Sequence, residues 1–331
     1  MAWFRSLLLL VVFSGLFAVT PACELCDRAL SDPAANLEKR EGALLTLLYS
    51  RIPGDVKAVL GWHRKTDILH TLRDTVRYKK WADLFAGTGG FGAACIRQSM
   101  NTGVQLDIEL NAKHDLTTAT GFALFIMECL TLLPGATALI GLPCATFVFL
   151  SRGTSLRSDL NGFRGTPDRT DVVLANVIAD RIFVLVQVMI LRLVEFIIEQ
   201  PLTSCLFSLR GFRMILKAKP FIKHRRMMVR MTRKFVWLGY FGHIVPKPTV
   251  LWGCSRVLGD LFSKRPPTCS RTKSSSRIVR ATTTKLVKRG KKMVSVFRIY
   301  GVRKALKVTQ QYPRRFCDEV ASRSRYSFGT L

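Results

Sequence analysis

Asp83-Leu84-Phe85-Ala86-Gly87-Thr88-Gly89-Gly90 joins a predicted strand to a predicted helix and points to the architecture of the whole chain. The run from Lys80 to Phe85 predicts a short strand, and Gly92 to Met100 predicts a helix. Between them lie three closely spaced glycines. Glycine accepts positive φ and lets a ligand come close to the backbone. The helix behind it presents unpaired N–H groups. An ordinary strand-turn-helix would share these features. What favours a nucleotide-cofactor loop is the pair Asp107 and Glu109, about 20 residues on, where a second predicted strand (Gly103 to Ile108) ends. A carboxylate at that place accepts hydrogen bonds from ribose hydroxyls.

Beyond this stretch, strand and helix patterns alternate. Phe122 to Leu133 predicts a helix stopped by Pro134-Gly135, and Thr137 to Leu142 a buried strand. Asp171 to Arg192 predicts a long apolar helix, and Val194 to Ile198 another strand. The strands are nearly continuously apolar, which predicts an α/β fold with a mostly parallel sheet covered on both faces. The long helix has the length of a membrane span. Asp180, Arg181, Gln187 and Arg192 lie inside it, however, and charge at the bilayer centre is costly. A helix packed on the sheet is the better reading. Upstream, residues 24–76 read as helical, with a helix over Asn36 to Arg51 and a break at Pro53-Gly54. Downstream, Val236 to Phe241 and Val294 to Tyr300 read as strands. Residues 263–292 read as a flexible basic insertion, and Arg314 to Ser322 as a terminal helix.

Charge divides the chain. Of the formal net +29, residues 1–202 contribute almost nothing, with 20 Lys/Arg against 19 Asp/Glu. Residues 203–331 hold 31 Lys/Arg and only Asp260, Asp318 and Glu319. Such a half needs anions, and nucleic acid is the first candidate partner, through phosphate neutralisation. An anionic membrane surface is the second. Met1 to Ala22 reads as a signal or targeting segment, with an apolar run from Leu7 to Val19. Nine cysteines are spread thinly. Cys23 and Cys26 form the one close pair, and a structural zinc needs four ligands, so no metal is expected.

Two further strand ends carry chemistry. Gly141-Leu142-Pro143-Cys144 delivers a Pro-Cys pair from a buried strand into a loop, with Arg152 and Arg157 following it. A thiol in positive surroundings loses its proton more readily and becomes a nucleophile. Phe196-Ile197-Ile198-Glu199-Gln200-Pro201 ends the next strand in a carboxylate. A buried cysteine and a strand-end charge are the plain alternatives for these two.

Together these motifs resemble the DNA cytosine-5 methyltransferases. Asp-Leu-Phe-Ala-Gly-x-Gly-Gly is similar to that family's first motif. The resemblance implies a Rossmann-like S-adenosylmethionine-dependent methyltransferase fold. It also implies that S-adenosylmethionine is cradled by Asp83, Phe85, Gly87, Gly89 and Gly90, with Asp107 on the ribose. Pro143-Cys144 matches the family's catalytic Pro-Cys at about the family's distance from the glycine loop. Cys144 would then add to carbon 6 of cytosine, so that carbon 5 can take the methyl group. Glu199 matches the family's glutamate, which contacts a ring nitrogen and stabilises charge as the thiolate adds. Gln200 stands where the family has asparagine. Asp168-Arg169, Lys247-Pro248-Thr249-Val250-Leu251-Trp252-Gly253 and Tyr312-Pro313 are fainter likenesses, and Asp115 is the acid available for adenine. There are departures. Asp107 to Thr137 leaves room for one helix only, no Gln-Arg-x-Arg motif occurs, and no target-recognition domain is evident.

The expected organisation is a targeting segment (1–22), a helical segment (23–76) and a methyltransferase-like core (77–255). A basic, partly flexible region with a possible nucleic-acid role (256–311) and a C-terminal helix returning to the core (312–331) complete it. The expected partner is nucleic acid, DNA before RNA. The sequence assigns no single compartment: the signal-like segment points to secretion or an organelle, and the chemistry to the nucleus or an organelle. Two other functions fit the same sequence: a catalytically degenerate methyltransferase-fold protein that binds nucleic acid through its basic half, and a secreted or membrane-surface basic protein.

Overall fold

A computed structural model describes residues 37–218, 220–224, 227–244, 246–261, 279–289, 292–301 and 311–325. The targeting segment, Cys23 and Cys26 lie outside the described residues, as does 262–278 of the basic region.

The chain is α/β. Its first four strands are β1 (Lys79–Leu84), β2 (Gly103–Leu106), β3 (Leu132–Ile140) and β4 (Glu195–Pro201). They are followed by a separate two-stranded ladder, β5 (Phe221–His224) with β6 (Met227–Arg230), and then by β7 (Thr232–Trp237) and β8 (Pro248–Cys254). The central sheet has six strands in the order β2-β1-β3-β4-β8-β7. Strands β1 to β4 are mutually parallel, while β8 runs antiparallel to both β4 and β7.

The helices before β1 are α1 (Leu37–Arg51), α2 (Gly54–Val59) and α3 (Lys65–Asp74). Within the sheet region come α4 (Gly90–Arg97), α5 (Ala119–Leu130), α6 (Arg152–Ser155), α7 (Thr170–Leu191) and α8 (Arg210–Ala218). After β8 come α9 (Arg256–Asp260) and α10 (Arg314–Arg325).

Side-chain alternation along the strands builds two cores. Ala82, Leu84, Ala138, Ile140, Phe196 and Ile198 face one side, where α1, α5 and α7 cover them. Trp81, Leu139, Ile197 and Leu251 face the other, where they meet α4, α9 and α10. Since both faces are buried, the strands read as apolar runs in the sequence. The chain leaves β1 for β2 through α4 on one face, and leaves β3 for β4 through α7 on the other. The order therefore reverses between β1 and β3, the place where open α/β sheets bind ligands beyond their carboxyl ends.

The apolar α7 is the one helix among the described residues long and apolar enough to cross a membrane. It is packed in the core, and its charges have protein partners. Arg181 donates to the carbonyls of Leu116 and Thr118, both at 2.6 Å. Asp180 takes a two-pronged ion pair from Arg164 at 2.6 and 2.8 Å. Between β2 and β3 there is a single α-helix, α5, as the spacing required.

Three expectations are corrected. Pro134-Gly135 does not end a helix but lies inside β3, because α5 already stops at Leu130. The extra residues are absorbed by a register shift between Lys79↔Leu132 and Trp81↔Thr137. The strand read over Val236 to Phe241 is displaced: β7 ends at Trp237 and a 3-10 turn covers Leu238–Phe241. The insertion read over 263–292 contains a strand, β9 (Val279–Arg289), which pairs antiparallel with β10 (Lys292–Gly301). Threonine- and valine-rich sequence favours extended backbone, and the dense Lys/Arg content hid it.

Helix α10 packs along α4. Phe316 meets Phe241 edge-on at 5.5 Å, and Asp318 pairs with Arg97. The end of the described chain is thereby fixed beside the glycine loop, with Tyr312 just ahead of the helix.

Candidate functional site

The glycine loop follows β1 directly. Phe85 takes φ +63°, a left-handed conformation that is unusual for an aromatic residue. It is held there by its own N–H on the Leu106 carbonyl at 2.7 Å and by its ring against Phe125. Gly87 (φ +53°) faces open space, with nothing within 4 Å of where a Cβ would stand. Gly89 (φ +70°) is confined, since a Cβ would meet the Gln105 amide at 2.8 Å. Gly90 begins α4 and would press a Cβ against Cys317 Sγ at 3.2 Å. The loop thus has one open residue and two packed ones. Gly92, which the sequence did not single out, is more crowded still, since a Cβ there would overlap the Gln105 side chain.

Two carboxylates hold this loop from behind. Asp107, at the end of β2, accepts the Gly87 N–H at 2.9 Å and the Glu109 N–H at 2.7 Å. Asp83 is buried under the first turn of α4 and accepts the Gly92 N–H at 3.2 Å. Burial pushes its carboxyl up to about 7 and the Asp107 charge adds to this, while the helix N–H groups of Gly92 and Phe91 act against it. Asp83 is turned into the helix rather than towards the open side of the loop. Asp115 caps a turn, accepting from the Thr117 N–H and hydroxyl.

Cys144 sits half-buried in the loop after β3, where its carbonyl accepts the Phe147 N–H at 2.9 Å. Glu199 lies near the end of β4, the adjacent strand, and is 5% exposed. Its Oε2 accepts the Tyr312 hydroxyl at 3.2 Å, and its Oε1 faces the Lys247 ammonium at 3.5 Å. Cys144, Glu199 and Lys247 share one neighbourhood. Burial pushes the Cys144 thiol up to about 11; the Glu199 carboxylate raises it further and the Lys247 ammonium draws it down. Glu199, Lys247 and Tyr312, far apart in the chain, therefore meet at the carboxyl end of β4, and Cys144 follows the adjacent strand β3.

The arginines expected to surround the thiol do something else. Arg157 is buried and donates to the carbonyls of Thr146 (2.9 Å), Phe163 (2.7 Å) and Val172 (3.3 Å). It also donates to Asn176 Oδ1 at 2.7 Å, and its guanidinium lies 3.9 Å over the Phe147 ring. It braces the loop that carries Cys144, and burial brings it down to about 10. The field of Arg157 and Arg152 falls on Cys205 instead. The cation that acts on Cys144 is Lys247.

Gln200, where the resemblance leads one to expect asparagine, is fully buried. Its amide donates to the Leu142 carbonyl at 3.0 Å and accepts the Ser204 hydroxyl at 2.8 Å. It ties β4 to the residue two before Cys144. Lys247 and Tyr312 belong to motifs visible in the sequence, yet nothing there assigned either to the site. Asp168 and Arg169 stay apart from the site, bonded to Thr166 and Asp171. Among the described residues, no group of three or more His, Cys, Asp or Glu side chains could hold a metal ion.

Comparison of the chain with protein-family models, with curated proteins and with solved structures finds no match in any of the three.

Proposed function

We propose that this chain is an S-adenosylmethionine-dependent methyltransferase acting on carbon 5 of cytosine in DNA. The observation that carries the reading is the Gln200–Leu142 bond, which ties the end of β4, bearing Glu199, to the loop that bears Cys144, beside a strained glycine loop at the reversal point of the sheet. Phe85, Gly87, Gly89 and Asp107 would hold the cofactor. The open space over Gly87 fits this, as does Asp107, which sits where a ribose-binding acid belongs. Bound there, S-adenosylmethionine would supply an electrophilic methyl group.

The chain's own residues account for the rest. Cys144, once deprotonated, adds to carbon 6 and makes carbon 5 nucleophilic. Glu199, fixed by Tyr312 and Lys247, would take up the thiol proton and donate it as a hydrogen bond to a ring nitrogen, offsetting the negative charge that develops as the sulfur adds. Arg157 and Gln200 hold the Cys144 loop in register with β4. The target base must leave its stack to reach a half-buried thiol, and the basic half of the chain would neutralise the phosphates on either side.

A second reading is a catalytically degenerate protein of the same fold that binds nucleic acid. The thiol held near 11 favours it, since such a group is almost fully protonated at neutral pH. Transfer of labelled methyl from S-adenosylmethionine to cytosine-containing DNA tests the first reading, with loss of transfer in Cys144→Ala expected. Calorimetric binding of the cofactor or of DNA without any transfer would establish the second. Transfer undiminished in Cys144→Ala sinks the cysteine mechanism.

A further inference from the structure

Strand β7 is the last strand of the central sheet and pairs on one side only, with β8. Its side chains alternate between two environments. Val236 is buried in the second core. On the opposite face stand Arg233, Phe235 and Trp237, at every second position, as the period of a strand requires. Arg233 and Phe235 are exposed and Trp237 is half-buried. The Phe235 and Trp237 rings meet edge-on, 5.6 Å apart at 83°. Arg233 lies opposite Trp252 of β8, with its guanidinium 5.7 Å from that ring, and Trp252 stacks on Phe207 at 4.6 Å. Cation and aromatic rings therefore follow one another across this face. The surroundings are cationic as well: no Asp or Glu occurs between Glu199 and Asp260, a span that includes Arg230, Arg233 and Lys234. The strand also leads to the candidate site. It runs parallel to β4, since both pair antiparallel with β8. At its carboxyl end Trp237 is paired with Pro248, the neighbour of the Lys247 that faces Glu199 at 3.5 Å.

We propose that this face of β7 is a platform for unpaired nucleotides, with bases stacked on Phe235 and Trp237 and a phosphate on Arg233. The proposal rests on nucleic acid as the partner named above, and not on methyl transfer. Phosphates supply the anions that a span without acids lacks. Aromatic rings interleaved with arginine are a surface on which unpaired bases stack whatever their sequence. In a duplex the same base faces are already taken by neighbouring bases. The platform ends beside Glu199, so a strand lying along β7 brings its next nucleotide to the site already out of its stack, which lowers the cost of presenting a base there. A second copy of the chain fits this face poorly. A two-fold contact sets a patch against itself, and it would bring Arg230, Arg233 and Lys234 onto their own counterparts.

Fluorescence anisotropy of the full chain with a labelled oligothymidylate of about 12 nucleotides, long enough to fill such a surface, tests the platform. A duplex of the same length and heparin, a polyanion without bases, serve as references. Phe235→Ala and Trp237→Ala are each expected to weaken binding of the single strand about 5- to 100-fold, and to leave heparin and duplex binding unchanged. Trp237→Phe is expected to keep most of the affinity. Arg233→Gln is expected to weaken all three ligands and to lower the salt slope for the single strand by about one. Circular dichroism checks that each variant is folded, and Phe235, as an exposed residue, is the variant least coupled to folding. The proposal is overturned if folded Phe235→Ala binds the single strand like the wild type, or if it weakens heparin and duplex by the same factor. It is equally overturned if sedimentation shows a dimer that Phe235→Ala dissolves. Should the single strand bind as expected while no methyl group is transferred, the proposed reaction fails and the platform stands. Should transfer occur while both alanine variants bind like the wild type, the reaction stands and the platform falls.

Discussion

The Gln200 side chain donates to the backbone carbonyl of Leu142 across 3.0 Å, joining two neighbouring strand ends that are far apart in sequence. Both groups are buried, and the second amide function is taken by Ser204. Glu199 and Cys144 lie one and two residues from the two partners, so this bond sets the spacing of the candidate catalytic pair.

Gln200→Leu keeps much of the volume and leaves the Leu142 carbonyl buried without a donor. A buried unsatisfied group costs about 1–3 kcal/mol. Urea denaturation is expected to show a loss in that range. Gln200→Asn, one methylene shorter, is expected to fall between the two.

Arg157 supplies donors to four backbone carbonyls, to the Thr146 hydroxyl and to Asn176. Arg157→Ala orphans all of these at once, and a loss of about 3 kcal/mol or more is expected. Limited proteolysis should then cut between Cys144 and Thr170, a stretch expected to resist in the wild type. Equal resistance in the folded variant would show that the loop has other supports.

Asp83 gives a pH signature. Its carboxyl titrates near 7 in the folded chain, chiefly through burial, against 3.8 for an ordinary aspartate. The folded state therefore binds more protons than the unfolded state between these two values. Stability then falls as pH rises through that window. The span corresponds to a loss on the order of 4 kcal/mol, reduced by whatever water reaches the site. Asp83→Asn keeps an acceptor for the Gly92 N–H and removes the charge. It is expected to flatten thermal stability between pH 4 and 7, and to be the more stable protein at pH 8.

Gly141→Ala tests the contact between the C-terminal segment and the site. An added Cβ would stand 2.6 Å from the Tyr312 hydroxyl. Tyr312 must move, and its bond to Glu199 goes with it. Overpacking of this kind costs about 1–3 kcal/mol. Tyr312→Phe removes the hydroxyl and should restore part of the lost stability in the double variant, which chemical denaturation would measure.

The alternation of apolar runs with glycine and acidic strand ends determined the α/β class, the parallel strands β1 to β4 and the glycine loop. These features are local: each depends on residues within one strand, one turn or one helix. The apolar strands were legible because both faces of the sheet are covered. The glycine loop was legible because few residues other than Gly87 and Gly89 accept its backbone. The tertiary structure alone decided which residues surround Cys144. Arg157 is close in sequence, yet its many donors satisfy the carbonyls of its own loop. Lys247 is about a hundred residues away, and reaches Glu199 because β8 pairs antiparallel with β4. Tyr312 arrives from still further, carried by the packing of α10 on α4. Charge acts through space and not along the chain, so the electrostatics of the site could be read only after the strands had been paired.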